Sequence, residues 1–409
     1  MGLDDKKIDQ ILDAVFTWSA KQGFKGHNKH DGLNSPALRL LLGWGKWPRL
    51  VAIQTVMRAP VNLRPLLAVP KTINPKGLAL FTLGLLDRYR ADGTPRHLDA
   101  AHNLLNLLDT VKSPGPWSGA CWGYPYPWQD LGFFAPPHTP NAVVTAFVCE
   151  ALLAAHRATG KAAYLDTVGS ACRFFMNDLT VLRDDQEALC LAYMPMPMRM
   201  RVMDVSILIG AVMAQYGELA GDQSLRETAR RLVGYVVAQQ TDYGAWFYTD
   251  PPGDSLIRHD NYHTGFILDA LWRYMAATDD WQWRPVYEKG LDFYAQQLFN
   301  ADGSPRWMSD RDFPHDVHGA AQGLVTFSLA RQNGYEYDGL PERIAAWALA
   351  TLYHPEGRFY YQEGPRRIKK FTLLRWCNGW MFRGLAAWRQ AASLPPSARR
   401  TTACGRERQ

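Results

Sequence analysis

Apolar residues recur at helical spacing along most of the chain, in long stretches separated by Gly, Pro and Asp turns. From residue 75 onward the predicted helices come in pairs. They run roughly 75–91 with 95–111, 140–158 with 162–178, 204–220 with 223–240, 263–277 with 283–299, and 316–332 with 340–353. A last helix, about 371–391, has no partner after it. The N-terminal helix, about 5–19, or the apolar segment 35–58 would supply one by closing a ring. The starts 75, 140, 204, 263, 316 and 371 describe a loose repeat of one helical hairpin.

The two members of a pair differ in kind. First members are apolar on all sides and rich in small residues, as in AVVTAFVCEALLAA from Ala142 or VSILIGAVMAQYGEL from Val205. Second members, such as SLRETARRLVGYVVA from Ser224, keep one wet face. A helix apolar all round belongs inside, and a helix with one polar face belongs at the periphery. The expected fold is therefore all-α, an (α/α)6 toroid forming a single domain over 1–393, with 1–60 closing the ring and 394–409 a disordered basic tail. Gly210, Gly265 and Gly323 on the inner helices predict tight packing, not a wide apolar chamber.

This topology has a consequence for function. The inner helices run parallel, so their N-termini and the loops before them share one rim. Free N–H groups there favour anionic ligands. The loops are chemically unusual. Loop 112–141 carries Trp117, Trp122, Tyr124, Tyr126, Trp128 and Asn141, either packed on one another or presented as a platform for sugar rings. Loop 241–263 carries Trp246, His259, Asp260, Asn261 and His263. Asp260 suits an N-cap by spacing, while the histidines beside a carboxylate suit acid/base work. Loop 303–318 repeats the theme with Trp307, His315, Asp316 and His318. Asp204 takes the equivalent place one hairpin earlier, and Arg375 and Trp376 open the last inner helix. Asp260 and Asp316 would serve as two carboxylates with separate roles, and Arg375 would hold a carboxylate or phosphate.

Composition narrows the field. The 409 residues are 47% hydrophobic and 21% charged, which supports a large core and excludes wholesale disorder. The 45 Lys and Arg against 39 Asp and Glu give a net charge of +6, which permits an anionic ligand without requiring one. Part of that excess lies in Arg366, Arg367, Lys369 and Lys370. No basic stripe interleaved with aromatics is present, so nucleic acid is not an expected partner. The histidines at 259, 263, 315 and 318, with Cys121 and Cys377, have zinc-ligand chemistry. No CxxC or HExxH spacing supports such a site, so no metal and no cofactor is expected. The start of the chain lacks the apolar core of a signal peptide, no run of about 18 apolar residues is evident, and the six cysteines are scattered. A cytoplasmic protein with reduced thiols and no membrane span is expected. The sequence leaves the oligomeric state open.

Three resemblances follow from particular residues. Gln240-Thr-Asp-Tyr-Gly-Ala-Trp246 resembles the Q-x3-G-x-W repeat of terpenoid cyclases, whose acidic D-x-D-D motif this chain lacks. Cys121-Trp-Gly-Tyr-Pro and His318-Gly resemble lanthionine-synthetase-like toroids, without their Cys-His-Gly zinc motif. Gly26-His-Asn-Lys-His-Asp-Gly-Leu-Asn-Ser35, Trp122-Gly-Tyr-Pro, His259-Asp-Asn-Tyr-His-Thr-Gly-Phe266 and His315-Asp-Val-His318 are similar to bacterial toroid proteins of polysaccharide and capsule biosynthesis loci, over roughly residues 20–390. That likeness implies a glycan pathway without naming a reaction.

Three functions stay open. The first is an enzyme acting on an anionic, uronic-acid-containing oligosaccharide or lipid-linked glycan, as lyase, epimerase or hydrolase. Catalysis would fall to Asp260, His263, Asp316, His318, Asp204 and Tyr126, and Trp122, Tyr124, Trp128, Asn141, Trp246, His259, Asn261, Trp307, Arg375 and Trp376 would bind. The second is a non-catalytic glycan-binding scaffold. The third is an isoprenoid or lipid-carrier enzyme with a cyclase-like toroid.

Overall fold

The computed structural model describes residues 4–393; the tail at 394–409 lies outside the described residues. In chain order the helices are α1 (Asp5–Lys21), α2 (Pro36–Leu42), α3 (Lys46–Arg58), α4 (Pro75–Asp92), α5 (Pro95–Asp109), α6 (Ala142–Thr159), α7 (Ala162–Asp178), α8 (Met203–Ala220), α9 (Gln223–Val237), α10 (Asn261–Thr278), α11 (Arg284–Gln297), α12 (Val317–Gln332), α13 (Leu340–Thr351) and α14 (Trp380–Ser393). The fold is the expected (α/α)6 toroid. Helices α4, α6, α8, α10, α12 and α14 each pack on the next, and α14 returns onto α4, which closes an inner ring of six.

The division of labour follows the hydrophobic pattern. In α8 the run Met203–Gln215 is buried on every side, whereas α9 buries Ala229, Leu232, Val233, Tyr235 and Val236 along one stripe. The inner helices approach closely where glycine leaves room. A Cβ on Gly265 would stand 2.5 Å from Gln322, and one on Gly323 would stand 2.5 Å from Phe299. Inner helices α4 and α6 stop at Gly93 and Gly160, both in the left-handed region, where glycine carries no Cβ penalty. Helix α1 packs against α14.

Two readings of the sequence need correction. Helix α6 has the length and hydropathy of a membrane span, although no such run was expected. It is an inner helix of the ring and most of it is buried there. The last inner helix does not begin near 371. Residues 371–374 are mostly non-helical, Arg375–Gly379 form one π turn, and α14 starts at Trp380. The wider turn offsets Arg375 and Trp376 from the α14 register and presents both at the rim.

Short antiparallel strands, absent from the helical pattern, fasten the rim loops together. His315–Asp316 pairs with Gln362–Glu363, which pairs in turn with Ile368–Lys369, and Arg201–Val202 pairs with Thr249–Asp250. An isolated bridge joins Asp260 to Met308. Two-residue strands have too little periodicity to be read from sequence.

Candidate functional site

The parallel inner helices bring residues 124, 204, 260, 316 and 376 to one mouth. Trp376 donates from Nε1 to Asp316 Oδ1 at 2.7 Å, and Asp316 also accepts the His318 backbone N–H, capping α12. The Arg375 guanidinium lies 5.5 Å from the centroid of Tyr124. Burial pushes the Asp204 carboxyl up, against the opposing pull of His263 and Lys76.

Asp260 does not cap α10 with its side chain, contrary to the role its spacing suggests. Its Oδ2 instead accepts from His263 Nδ1 at 2.7 Å. An imidazole donating through Nδ1 carries its free lone pair on Nε2. His263 is half-buried between Tyr248 and Tyr262, with ring centroids at 4.5 and 4.4 Å, and is positioned to act as a base.

On the neighbouring inner helix α12, His318 stacks on Tyr262 at 4.4 Å and on Trp380 at 4.2 Å, with Trp376 edge-on at 4.6 Å. Neither of its ring nitrogens has a hydrogen-bond partner among the described residues. Burial holds its pKa well below the ordinary histidine value, and Lys76, Arg375, Lys29 and His263 all lower it further. The ring is therefore neutral, with one donor and one acceptor unused.

Two lysines complete the mouth, Lys29 and Lys76, neither among the catalytic or binding candidates of the sequence. Lys29 enters from the segment that covers the rim, its Nζ 4.0 Å from the Trp376 centroid and 5.2 Å from that of Trp307. Burial pushes its pKa down to about 8, against the pull of Asp316. Lys76 stands in the first turn of α4 with Nζ over Phe147 and Phe266, at 3.8 and 4.6 Å. Burial holds it well below the usual lysine range, with Asp204 opposing. A lysine in an otherwise apolar inner helix, PKGLALFTLGLL, was the available signal for Lys76. The quoted Gly26–Ser35 stretch was the one for Lys29.

The covering segment is held by a buried ion pair, Arg64 Nε to Asp31 Oδ1 at 2.6 Å, with Arg64 also donating to the carbonyls of Asn28 and Lys29. Asn74, which caps α4, donates to the Asn28 side chain at 2.8 Å.

No salt bridge is made by Lys29, Lys76 or Arg375 among the described residues. Facing them, Asp204 Oδ1 and Asp316 Oδ2 are buried without a partner, and the buried Tyr126 hydroxyl faces Arg375. Buried polar groups are normally satisfied by protein, water or ligand, so this set makes the mouth the candidate polar binding site. Tyr126 lies parallel to Tyr124 at 5.3 Å, and burial raises its pKa. It stays a protonated phenol, suited to donate a hydrogen bond.

Several predicted binding residues turn away from the mouth. Trp122 and Trp246 are buried and donate from Nε1 to the carbonyls of Leu108 and Val236. Asn141 caps α6 through its Oδ1 but leaves its buried Nδ2 without a partner among the described residues. Asn261 ties Leu298 to Tyr294. His259 bonds the Trp246 carbonyl and the Tyr243 hydroxyl. Trp128 packs on Phe133, Tyr193 and His30 beside the mouth. Gln240 bridges to the Val286 carbonyl and Trp246 packs on Gly290, so the Q-x3-G-x-W stretch ties the end of α9 to α11. We predict that Trp246→Phe, which deletes one buried donor, costs about 1–2 kcal/mol in urea unfolding and leaves ligand affinity unchanged.

A cavity of about 670 Å³ lies outside the mouth among Tyr243, Arg258, His259 and Lys289. Its histidine is already fully bonded, so the mouth, with its unpaired groups, is the stronger site. Beneath the mouth the axis is filled, leaving a gap of about 10 Å³ lined in part by Phe147, Phe266 and Trp380. The apolar chamber that an isoprenoid cyclase needs is absent there. No group of three or more His, Cys, Asp or Glu side chains suited to a metal ion occurs among the described residues.

No family model matches the sequence, and no curated protein matches it. Solved structures do match in fold. A GH76 α-mannanase of Bacteroides thetaiotaomicron superposes with a TM-score of 0.59 at 14% identity, over 76% of this chain and 85% of that one. A cellobiose 2-epimerase from Bacillus thermoamylovorans gives 0.59 at 12% identity over 77% and 87%. A polysaccharide lyase gives 0.55 at 11% identity over 95% and 96%. At such identities the likeness shows the fold alone.

Proposed function

We propose that the protein is an enzyme of bacterial polysaccharide biosynthesis, cytoplasmic, that abstracts the C5 proton of a uronic-acid residue in an oligosaccharide, as a lyase or an epimerase. The observation that carries this reading is the Asp260–His263 pair standing in a mouth with three buried basic side chains, Lys29, Lys76 and Arg375, that make no salt bridge among the described residues. The similar folds, named for an α-mannanase, a sugar epimerase and a polysaccharide lyase, support a carbohydrate substrate, as do the aromatic faces of Tyr124 and Trp307.

The chemistry follows from the groups present. Nε2 of His263 takes the C5 proton, and the electron pair passes into the neighbouring carboxylate as an enolate. Arg375 and Lys29 stabilise the growing charge in a water-poor setting, where such contacts are strongest. In an epimerase a proton returns to C5 from the opposite face; in a lyase the C4–O bond breaks, the C4=C5 double bond forms, and a donor such as neutral His318 or Tyr126 protonates the leaving oxygen. A hydrolase would instead use Asp260 and Asp316; Asp260 there orients His263, while Asp316 keeps Oδ2 free, and the product distinguishes the two readings.

Incubation with uronic-acid oligosaccharides in D2O separates these outcomes. Proton abstraction gives deuterium at C5 or an unsaturated product. Cleavage with neither means hydrolysis and overturns the proposal. Arg375→Met is expected to lower kcat/KM for the acidic substrate on the order of a hundred-fold, with little change for a neutral analogue.

A further inference from the structure

The segment that covers the mouth continues into a surface unlike the rest of the protein. Between Asp31 and Asp87 no acidic residue occurs, while Arg39, Lys46, Arg49, Arg58, Arg64, Lys71 and Lys76 do. Most of the exposed large hydrophobic residues among those described fall in this stretch. Leu40 is 83% exposed, Trp44 76% and Trp47 67%, with Leu41, Val51 and Leu66 also open. Helices α2 and α3 pack inward on Leu33 through Leu38, Ala52 and Ile53 and leave this second apolar face uncovered.

The surroundings extend the patch. Arg49 lies over the exposed ring of Phe134, at 3.9 Å from its centroid, which brings the 131–134 loop beside α3. Lys369 donates to the carbonyls of Met57 and Arg58, which brings the hairpin with exposed Arg366, Arg367 and Lys370 to the far end of α3. None of Arg39, Lys46, Arg49, Arg58, Arg366, Arg367 and Lys370 makes a salt bridge among the described residues. The nearest carboxylate in the adjoining loop, Asp130, accepts the Leu131 N–H.

We infer that α2, α3 and the 131–134 loop form an interfacial membrane anchor, seated on a bilayer surface rich in anionic lipid. Exposed Trp and Leu enter the boundary between headgroups and acyl chains, Trp being suited to that depth, while the flanking Lys and Arg meet lipid phosphates. Charge complementarity selects this occupant: a patch with seven cations against the part-exposed carboxylates of Asp130 and Glu363 matches an anionic surface, whereas a second copy would bring like charges together. The anchor is continuous in sequence with the Lys29 segment over the mouth. A substrate carried on a lipid would thus be met at the membrane. The inference stands independently of the reaction assigned to the site.

Flotation of the full chain with vesicles tests it. Binding to vesicles of 30% phosphatidylglycerol in phosphatidylcholine is expected to exceed binding to pure phosphatidylcholine by at least about ten-fold and to weaken with added salt. Trp44→Glu combined with Trp47→Glu is expected to abolish it with an unchanged circular dichroism spectrum. Hydrogen exchange of the wild-type chain on the same vesicles needs no variant, and should show protection over 36–66 and 131–134. Equal binding to both vesicles, protection elsewhere, or no binding with a dimer that these substitutions dissolve would each overturn the inference.

Discussion

His263→Gln is expected to lower turnover of a uronic-acid oligosaccharide by roughly 10²–10⁴-fold, the usual contribution of a positioned general base. Glutamine keeps a polar group of similar reach and removes the basic lone pair. Affinity for the substrate should change little, and so should the unfolding transition, because His263 is part-exposed and its one described hydrogen bond is to Asp260. Asp260→Asn probes the same pair from behind. The carboxylate holds Nδ1 protonated and so directs the basic nitrogen outward; an amide allows the other tautomer, and a loss of about 10–100-fold is expected from this orienting role. The double variant should be little worse than His263→Gln alone, since the two act as one unit. Additive losses, measured by single-turnover kinetics, would show that Asp260 has a separate role and that the pair is misassigned.

Lys29→Met should move activity and stability in opposite directions. The lysine is buried and its pKa is pushed down to about 8, from an ordinary value of 10.5, even with Asp316 pulling it up. The fold therefore holds a cation at a net cost. Between pH 8 and 10.5 the unfolded chain binds more protons at this position than the native one, so this group makes stability rise with pH across that window. Below pH 8 the cost is present in full. At pH 7 Lys29→Met is expected to stabilise the protein by about 1–3 kcal/mol, and the difference from wild type should shrink as pH rises through the window. Turnover should fall by about 10²-fold or more through lost charge stabilisation, and the wild-type rate should decline as pH passes about 8. Urea unfolding at pH 7 and pH 10 checks the first claim. A variant that is less stable at pH 7 would assign Lys29 to structure.

Helix order and boundaries were legible because burial imposes periodicity. An inner helix such as Val205–Leu219 must be apolar on all sides, and an outer one such as Ser224–Ala238 on one side only. The common mouth was legible too, since parallel inner helices leave no other end for loops 112–141, 241–263 and 303–318. The direction of each side chain was not. Trp246 and Trp307 read alike in sequence, yet the first donates to the Val236 carbonyl inside the wall and the second stands beside Lys29. His259 and His263 are four residues apart, and only one pairs with a carboxylate.

What the chain determines by itself is the alternation of helix types, the repeat that closes them into a toroid, and the rim that collects its chemistry. These depend on local spacing and on apolar area. The partnership of Asp260 with His263, the approach of Lys29 to Trp376, and the exposure of Trp44 and Trp47 belong to the tertiary structure. Each depends on contacts, or their absence, between segments far apart in sequence. Desolvation and hydrogen bonding at those contacts then set which groups are charged.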